Sequence, residues 1–318
     1  MRQRTSILTA IAFLGVYFAV ASCSMSAKNS STSESNVDVT ASVIPDLQLP
    51  DIPQNLTIPQ ERAAYLLAHY WDNMNWADSI LIENDYFMEQ NMSTYFDLFN
   101  HVSKNEISPA VNRMIEQAAV NPNAIEKICS IADIYLYDTQ SPVMNEDYYR
   151  IIVESLLKSK KIRYYRTIIL QAVLDDLSKN AVGQKASSFV VITRDGKKTE
   201  LKKLLNQSGR TILFFYDPDC EDCAMAESLM KSNVALNSAI SSGDLKVVAI
   251  CPFSVDNKDW KQHASTLPEA WTIGYSPNGQ VDEESIYVFR SYPTIYLIDN
   301  KGIVLSKDIK YETLREQI

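Results

Sequence analysis

The chain has 318 residues, 46% of them hydrophobic and 22% charged, with a formal net charge of -9. That length allows one or two globular domains, and the apolar content suffices for a core without disulfide staples. The acidic balance excludes a general nucleic-acid binder, which needs basic surface to neutralise phosphate.

The N-terminus reads as a secretory leader over residues 1–22. Arg2 and Arg4 give a positive start, and Ile7 to Val20 is apolar apart from Thr9 and Gly15. That run is short of the ~20 residues a membrane-spanning helix needs. Val20-Ala21-Ser22-Cys23 resembles the lipobox of bacterial lipoproteins. The resemblance implies lipidation of Cys23, which becomes the mature N-terminus and anchors the chain to a membrane. An ordinary leader with a chance cysteine, or an uncleaved anchor, are the alternatives. Losing the leader removes two arginines and leaves the rest more acidic. Acyl chains, not attraction to anionic head groups, would then hold the protein at the bilayer.

Residues 23–56 form a flexible tether. They are rich in Ser, Asn and Thr, carry Pro45, Pro50 and Pro53, and show no helical or strand period. An all-α domain is expected over 57–180. Thr57-Ile58-Pro59-Gln60 reads as a helix start with a capping box. Ala63, Leu66, Leu67, Tyr70, Trp71 and Met74 follow at helical spacing. Ser108-Pro109 and Asn121-Pro122 read as two more starts, and Asn145 as the cap of another helix. Ile162 to Leu177 is a last amphipathic stretch. No fixed 34-residue signature supports a tetratricopeptide array. The aromatics Tyr65, Tyr70, Trp71, Trp76, Tyr86 and Phe87 are expected in a core. Asp72, Asp78, Glu83 and Asp85 are expected on a solvated face.

Residues 183–318 read as an α/β domain. Phe189 to Thr193 alternates as a strand, Asp195-Gly196 turns, and Lys197 to Leu201 returns. Thr211 to Tyr216 and Leu245 to Cys251 are apolar runs suited to buried strands. Cys223 to about Ile240 reads as one helix. Thr294 to Ile298 and Ile303 to Leu305 flank an Asp-Asn-Lys-Gly turn. Strands alternating with helices and a closing hairpin indicate a mixed sheet flanked by helices.

The order strand, loop, Cys220-Glu221-Asp222-Cys223, helix puts Cys220 at a helix N-terminus. Free N–H groups and the helix dipole stabilise a thiolate there, and the thiolate is the attacking species in disulfide exchange. Cys223, three residues on, can release the mixed disulfide. Asp219, Glu221 and Asp222 oppose the dipole and should raise the Cys220 pKa, which points to a reducing or weakly oxidising pair. An isolated pair is also compatible with a structural disulfide or half a zinc site. Zinc would need two further ligands, and Cys129 and the three histidines are scattered. Cys129 and Cys251 read as core thiols.

Three segments carry a family resemblance. Gly183-Gln184-Lys185-Ala186-Ser187-Ser188-Phe189 resembles a Gly-x-x-Ala-x-x-Phe opening. Phe214 to Cys223 resembles a strand-to-CxxC passage, and Ser291 to Asp299 a cis-proline strand. Together they are similar to thioredoxin-like domains of the TlpA/ResA type, related to the AhpC/TSA group of peroxiredoxins. The helical region resembles an uncharacterised module found ahead of such domains in bacterial lipoproteins. The resemblance implies that Cys220 and Cys223 form a redox disulfide and that Pro293 is cis beside it. It implies that Tyr292 and Thr294 bind substrate, that no cofactor or metal is held, and that a membrane thiol donor supplies electrons.

The chain departs from that pattern at Asp219, where tryptophan is common. Phe214 stands where thioredoxin has a buried aspartate, and Ala226 where ResA-like proteins have glutamate, with Glu227 one position off. The function expected is a membrane-tethered, periplasm-facing thiol–disulfide oxidoreductase acting on protein disulfides in the reducing direction, with Cys220 attacking and Cys223 resolving. The alternative is a binding or scaffold lipoprotein with little turnover. A peroxidase fits less well, because Pro218 lies only two residues before Cys220.

Overall fold

A computed structural model of the chain describes residues 46–253 and 257–318. The expected leader, Cys23 and the tether as far as residue 45 lie outside the described residues. Among the described residues, no helix is long and apolar enough to cross a membrane.

An all-α part comes first, as the sequence indicates. It comprises α1 (Pro59–His69), α2 (Ser79–Glu83), α3 (Asp85–Asp97), α4 (Lys104–Ala118), α5 (Pro122–Ala132), α6 (Glu146–Ser159) and α7 (Tyr164–Ser178). Local chemistry explains several boundaries. Asn121 and Asn145 cap α5 and α6 with their side chains. Two expected starts move. Ile58, not Thr57, precedes α1, and no side chain caps it. Pro109 lies inside α4, because the Ser103–Glu106 capping box starts that helix a turn earlier. A cap of that kind contributes about 1 kcal/mol, enough to set a boundary ahead of a tolerated proline.

Tyr70, Trp71, Trp76, Tyr95 and Phe99 pack at the centre of this part, with Tyr70 and Tyr95 ring centroids 5.5 Å apart. Phe87 joins them in the core, whereas Tyr86 is exposed. Asp72 pairs with Arg113, Asp85 with Lys127, and Asp78 caps α2. The last tether residues are not free of this core: Leu47 packs against it, and the Gln48 carbonyl accepts from Asn73 at 2.9 Å.

The second part is a mixed sheet. Its strands are β1 (Val190–Thr193), β2 (Lys198–Glu200), β3 (Arg210–Phe215), β4 (Leu245–Cys251), β5 (Thr272–Tyr275), β6 (Thr294–Ile298) and β7 (Val304–Ser306). Their order is β2-β1-β5-β4-β3-β6-β7. β3 runs parallel to β4 and antiparallel to β6. Side chains alternate faces along β3. Phe214 and Tyr216 enter one core and Leu213 and Phe215 the other, so both faces of the strand are covered.

The helices of this part are α8 (Leu201–Leu204), α9 (Glu221–Ser232), α10 (Val234–Ser242), α11 (Asn257–Thr266), α12 (Gln280–Glu283) and α13 (Tyr311–Glu316). The single helix expected from Cys223 to Ile240 is two. Asn233 leaves helical geometry and its side chain accepts the Leu236 N–H, capping α10.

Arg290 ties the two parts together. Its guanidinium donates to Glu146 at 2.7 Å and to Asp308 at 2.6 Å, donates to the Tyr137 carbonyl, and lies 4.2 Å from the Tyr137 ring centroid. Lys307 adds a 3.0 Å pair to Glu146. The side chains of Arg290 and Asp308 are only 13% and 7% exposed. Removing one partner of such a cluster strands buried charge. Arg290→Met should lower stability by about 3 kcal/mol, read from the urea unfolding midpoint. An unchanged midpoint would show that the cluster carries no stability.

Candidate active site

β3 ends at Phe215, and the chain turns through Tyr216–Asp219 before α9 begins. Asp217 shapes the turn: its carbonyl accepts the Cys220 N–H at 3.1 Å and its carboxylate the Asp219 N–H at 2.9 Å. Cys220 is then the N-cap of α9, and its Sγ accepts the Cys223 N–H at 3.1 Å. An N-terminal amide aimed at sulfur is the arrangement that stabilises a thiolate. Cys220 Sγ also lies 3.6 Å from the Tyr292 carbonyl oxygen, to which its S–H can donate.

Pro293 follows Tyr292 through a cis peptide bond. The Tyr292 ring stacks on Phe289 at 5.5 Å and meets Phe253 edge-on at 5.3 Å. Thr294 is fully buried, and its hydroxyl donates to the Ser291 carbonyl at 2.6 Å. Its side chain therefore holds the Pro293 turn from beneath and does not reach the surface. The structure thus brings Cys220, Cys223, Tyr292 and Pro293 to one place, with Thr294 under them.

The two thiols are unequal. Both are free, but Cys220 is half-buried and Cys223 is 1% exposed. Burial pushes the Cys223 thiol well above its ordinary value, and the hydrogen bond with Cys220 and the nearby Glu227 act in the same direction. A partner disulfide can therefore reach only Cys220 directly. Cys129 and Cys251 are also free and buried, and burial pushes each up to about 12. Asp219, Glu221 and Asp222 are all exposed, so water screens their effect on the dithiol.

One acid of the site sits where the sequence reading assigned no role. Glu227 is 3% exposed, one helical turn below Cys223 on α9. Its carboxylate meets His263 Nε2 at 3.1 Å and Lys231 Nζ at 3.5 Å. His263 stacks on Tyr216 at 5.2 Å, and the Tyr216 hydroxyl accepts from Trp260 at 3.1 Å. The spacing of four from Cys223 is the signal that places Glu227 on the same helix face. Nothing local could have indicated His263, which reaches the site from α11. Phe214 and Ala226, at the two positions where the family resemblance leads one to expect an acid, are buried and apolar.

A groove of about 250 Å3 adjoins Tyr292 and Pro293. A wider depression of about 1010 Å3 is lined by residues of α1, α4 and by Lys158, Ser159 and Lys161, all of the helical part. Neither cysteine lines the 250 Å3 groove itself, but Tyr292 does, and its carbonyl oxygen lies 3.6 Å from Cys220 Sγ.

Residues 22–180 match the Domain of unknown function family DUF5106, and residues 182–307 the AhpC/TSA family. Among solved structures, a thioredoxin-like protein from Bacteroides caccae is 30% identical, with a TM-score of 0.80 over 86% of this chain and 98% of that one. A conserved protein of unknown function from Bacteroides fragilis is 34% identical, with a TM-score of 0.40 over 43% of this chain and 97% of that one. The C-terminal domain of an uncharacterised protein from Bacteroides fragilis is 29% identical, with a TM-score of 0.42 over 44% and 98%. No curated protein matches the chain. With one family match spanning half its residues and a 30% identical relative spanning 86%, the chain belongs to the DUF5106 family and to the thioredoxin-like proteins.

Proposed function

We propose that the protein is a thiol–disulfide oxidoreductase of the bacterial cell envelope that reduces disulfides in other proteins. The observation that carries this reading is the contrast between the two thiols. Cys220 caps α9 within reach of the Tyr292 carbonyl, and Cys223 is buried three residues on.

In the reaction, the Cys220 thiolate attacks one sulfur of a substrate disulfide. A Cys220–substrate disulfide forms, the substrate S–S bond breaks, and one substrate thiolate leaves. Cys223 then gives up its proton and attacks Cys220 Sγ. The Cys220–Cys223 disulfide forms and the second substrate thiolate leaves. Two electrons have passed to the substrate, and the departing thiolates take up protons. Glu227 with His263 is the ionisable pair beside Cys223 suited to handle its proton. A dithiol reductant, supplied by a membrane thiol-electron donor, must restore the pair. Tyr292 and Pro293 shape the place where substrate lies, and Thr294 braces them. No cofactor or metal is required.

The leader and Cys23 support a lipid anchor and a periplasm-facing position, with the acidic body held off the bilayer by residues 23–56. The domain division in this reading is helical module over 57–180 and thioredoxin-like domain over 183–318. A second reading, a binding lipoprotein with little turnover, draws on Phe214 and Ala226, which leave the usual acid positions apolar.

Insulin reduction with excess dithiol separates the two readings. Wild type should exceed Cys220→Ser by at least about a hundredfold; equal rates would favour binding without turnover. In cells, Cys223→Ser should accumulate mixed disulfides in the membrane fraction, and Cys23→Ala should move them to the soluble fraction. Alkylation of the reduced protein at about pH 7.5 should label Cys220 first and leave Cys223 unlabelled until unfolding. Equal labelling of both would contradict the assigned roles.

A further inference from the structure

The groove beside Pro293 is built from both parts of the chain. One side is α9, which presents Met225 and Leu229, 59% and 40% exposed. Thr139 and Gln140 of the helical part line it as well. We propose that these two residues form a wall of the substrate site, and that the groove takes a cystine-bearing polypeptide segment with an apolar side chain next to a basic one. This deepens the oxidoreductase reading and rests on it.

Four observations carry the inference. Tyr292 and Pro293 line the groove, and the Tyr292 carbonyl lies 3.6 Å from Cys220 Sγ, so the groove adjoins the thiol. Its volume, about 250 Å3, is below the ~300–1,000 Å3 of small-molecule sites, which suits a side chain or short segment. Large apolar side chains left open on one helix face favour an apolar occupant. Charge then sets its neighbour. Asp222 and Glu312 line the groove and are exposed, and Lys310 is the base among the lining residues. Asp308 also lines it but is already paired with Arg290. Asp219 and Glu221 extend the negative rim past Cys220, so a basic residue is the complement.

The wall is held in place. The Asp138 carboxylate accepts the Gln140 N–H at 2.8 Å, and Ser141 donates to the Tyr135 carbonyl at 2.6 Å. Arg290 grips Tyr137 just before this turn and lies two residues before Tyr292. The turn is therefore fastened to the same loop that carries the proline, and the helical part contributes a fixed surface to the site.

The test uses the full-length reduced protein in single-turnover reactions with three synthetic peptides. Each has the same internal cystine, flanked by Leu-Arg, Leu-Glu or Gly-Arg. Wild type should react about fivefold faster with Leu-Arg than with either other peptide, the scale of one exposed charge contact or one small apolar contact. Glu312→Lys should collapse the Arg-over-Glu preference. Gln140→Trp should narrow the groove and collapse the Leu-over-Gly preference. Thermal unfolding confirms that both exposed-site variants remain folded. Equal wild-type rates on all three peptides would overturn the groove while leaving the oxidoreductase reading intact. Preferences unmoved by Gln140→Trp would overturn the wall. No reaction with any peptide, at a rate equal to Cys220→Ser, would overturn both.

Discussion

The antiparallel pairing of Phe215 with Thr294 is the constraint on which the site depends. Phe215 is the last residue of β3, and Thr294 is the first of β6. Their pairing sets the loop that leads to Cys220 next to the turn that contains Pro293. A slip of one residue would turn every side chain of β6 to the opposite face and would separate the two loops. The register is protected because both faces of β3 are buried, with Phe214 in one core and Phe215 in the other. Parallel pairing with β4 on the far side fixes β3 as an interior strand of the sheet. The reactive cysteine then sits beyond the carboxyl end of a central strand, where open α/β sheets place their ligands.

Within that frame, burial divides the work between two chemically identical groups. Cys220 receives an amide at the helix N-terminus and faces the outside, while Cys223 points into the core beneath it. The acid that accompanies the pair comes from α9 itself. In this chain Phe214 fills the space under the helix, and Glu227 enters from one turn further along with His263 against it. The flanking acids Asp219, Glu221 and Asp222 face water, so their role is better sought in what approaches the site than in the thiol itself.

Much of this was legible from residues alone. The alternation of Phe189 to Thr193, the apolar runs of β3 and β4, and the Asn caps of α5 and α6 are local signals, and each appears as an element in its expected place. The dithiol stood out because a cysteine pair between a buried strand and a helix has few structural explanations. Errors fell where two local signals competed. Ser108-Pro109 lost to the stronger Ser103–Glu106 box, and Asn233 interrupted a helix that its apolar spacing would have continued. What remained hidden was long-range. Arg290 reaching Glu146, His263 reaching Glu227 and Gln140 lining one groove with Met225 each bring together residues more than thirty positions apart, and no periodicity encodes them.

The helical part is thereby fastened to the sheet part at the loop beside the dithiol. Its Tyr137 and Glu146 grip the loop that carries Pro293 through one guanidinium. All of these contacts matter to function only if Cys220 and Cys223 exchange electrons reversibly. Equilibration of the protein in buffers of graded reduced and oxidised dithiothreitol, followed by acid quenching, alkylation of the unfolded chain and mass measurement, tests that directly. The account predicts a single two-electron transition in which labels on Cys220 and Cys223 appear together while Cys129 and Cys251 stay outside it. A pair that remained fully reduced across the whole range, or a transition involving any other cysteine, would contradict it.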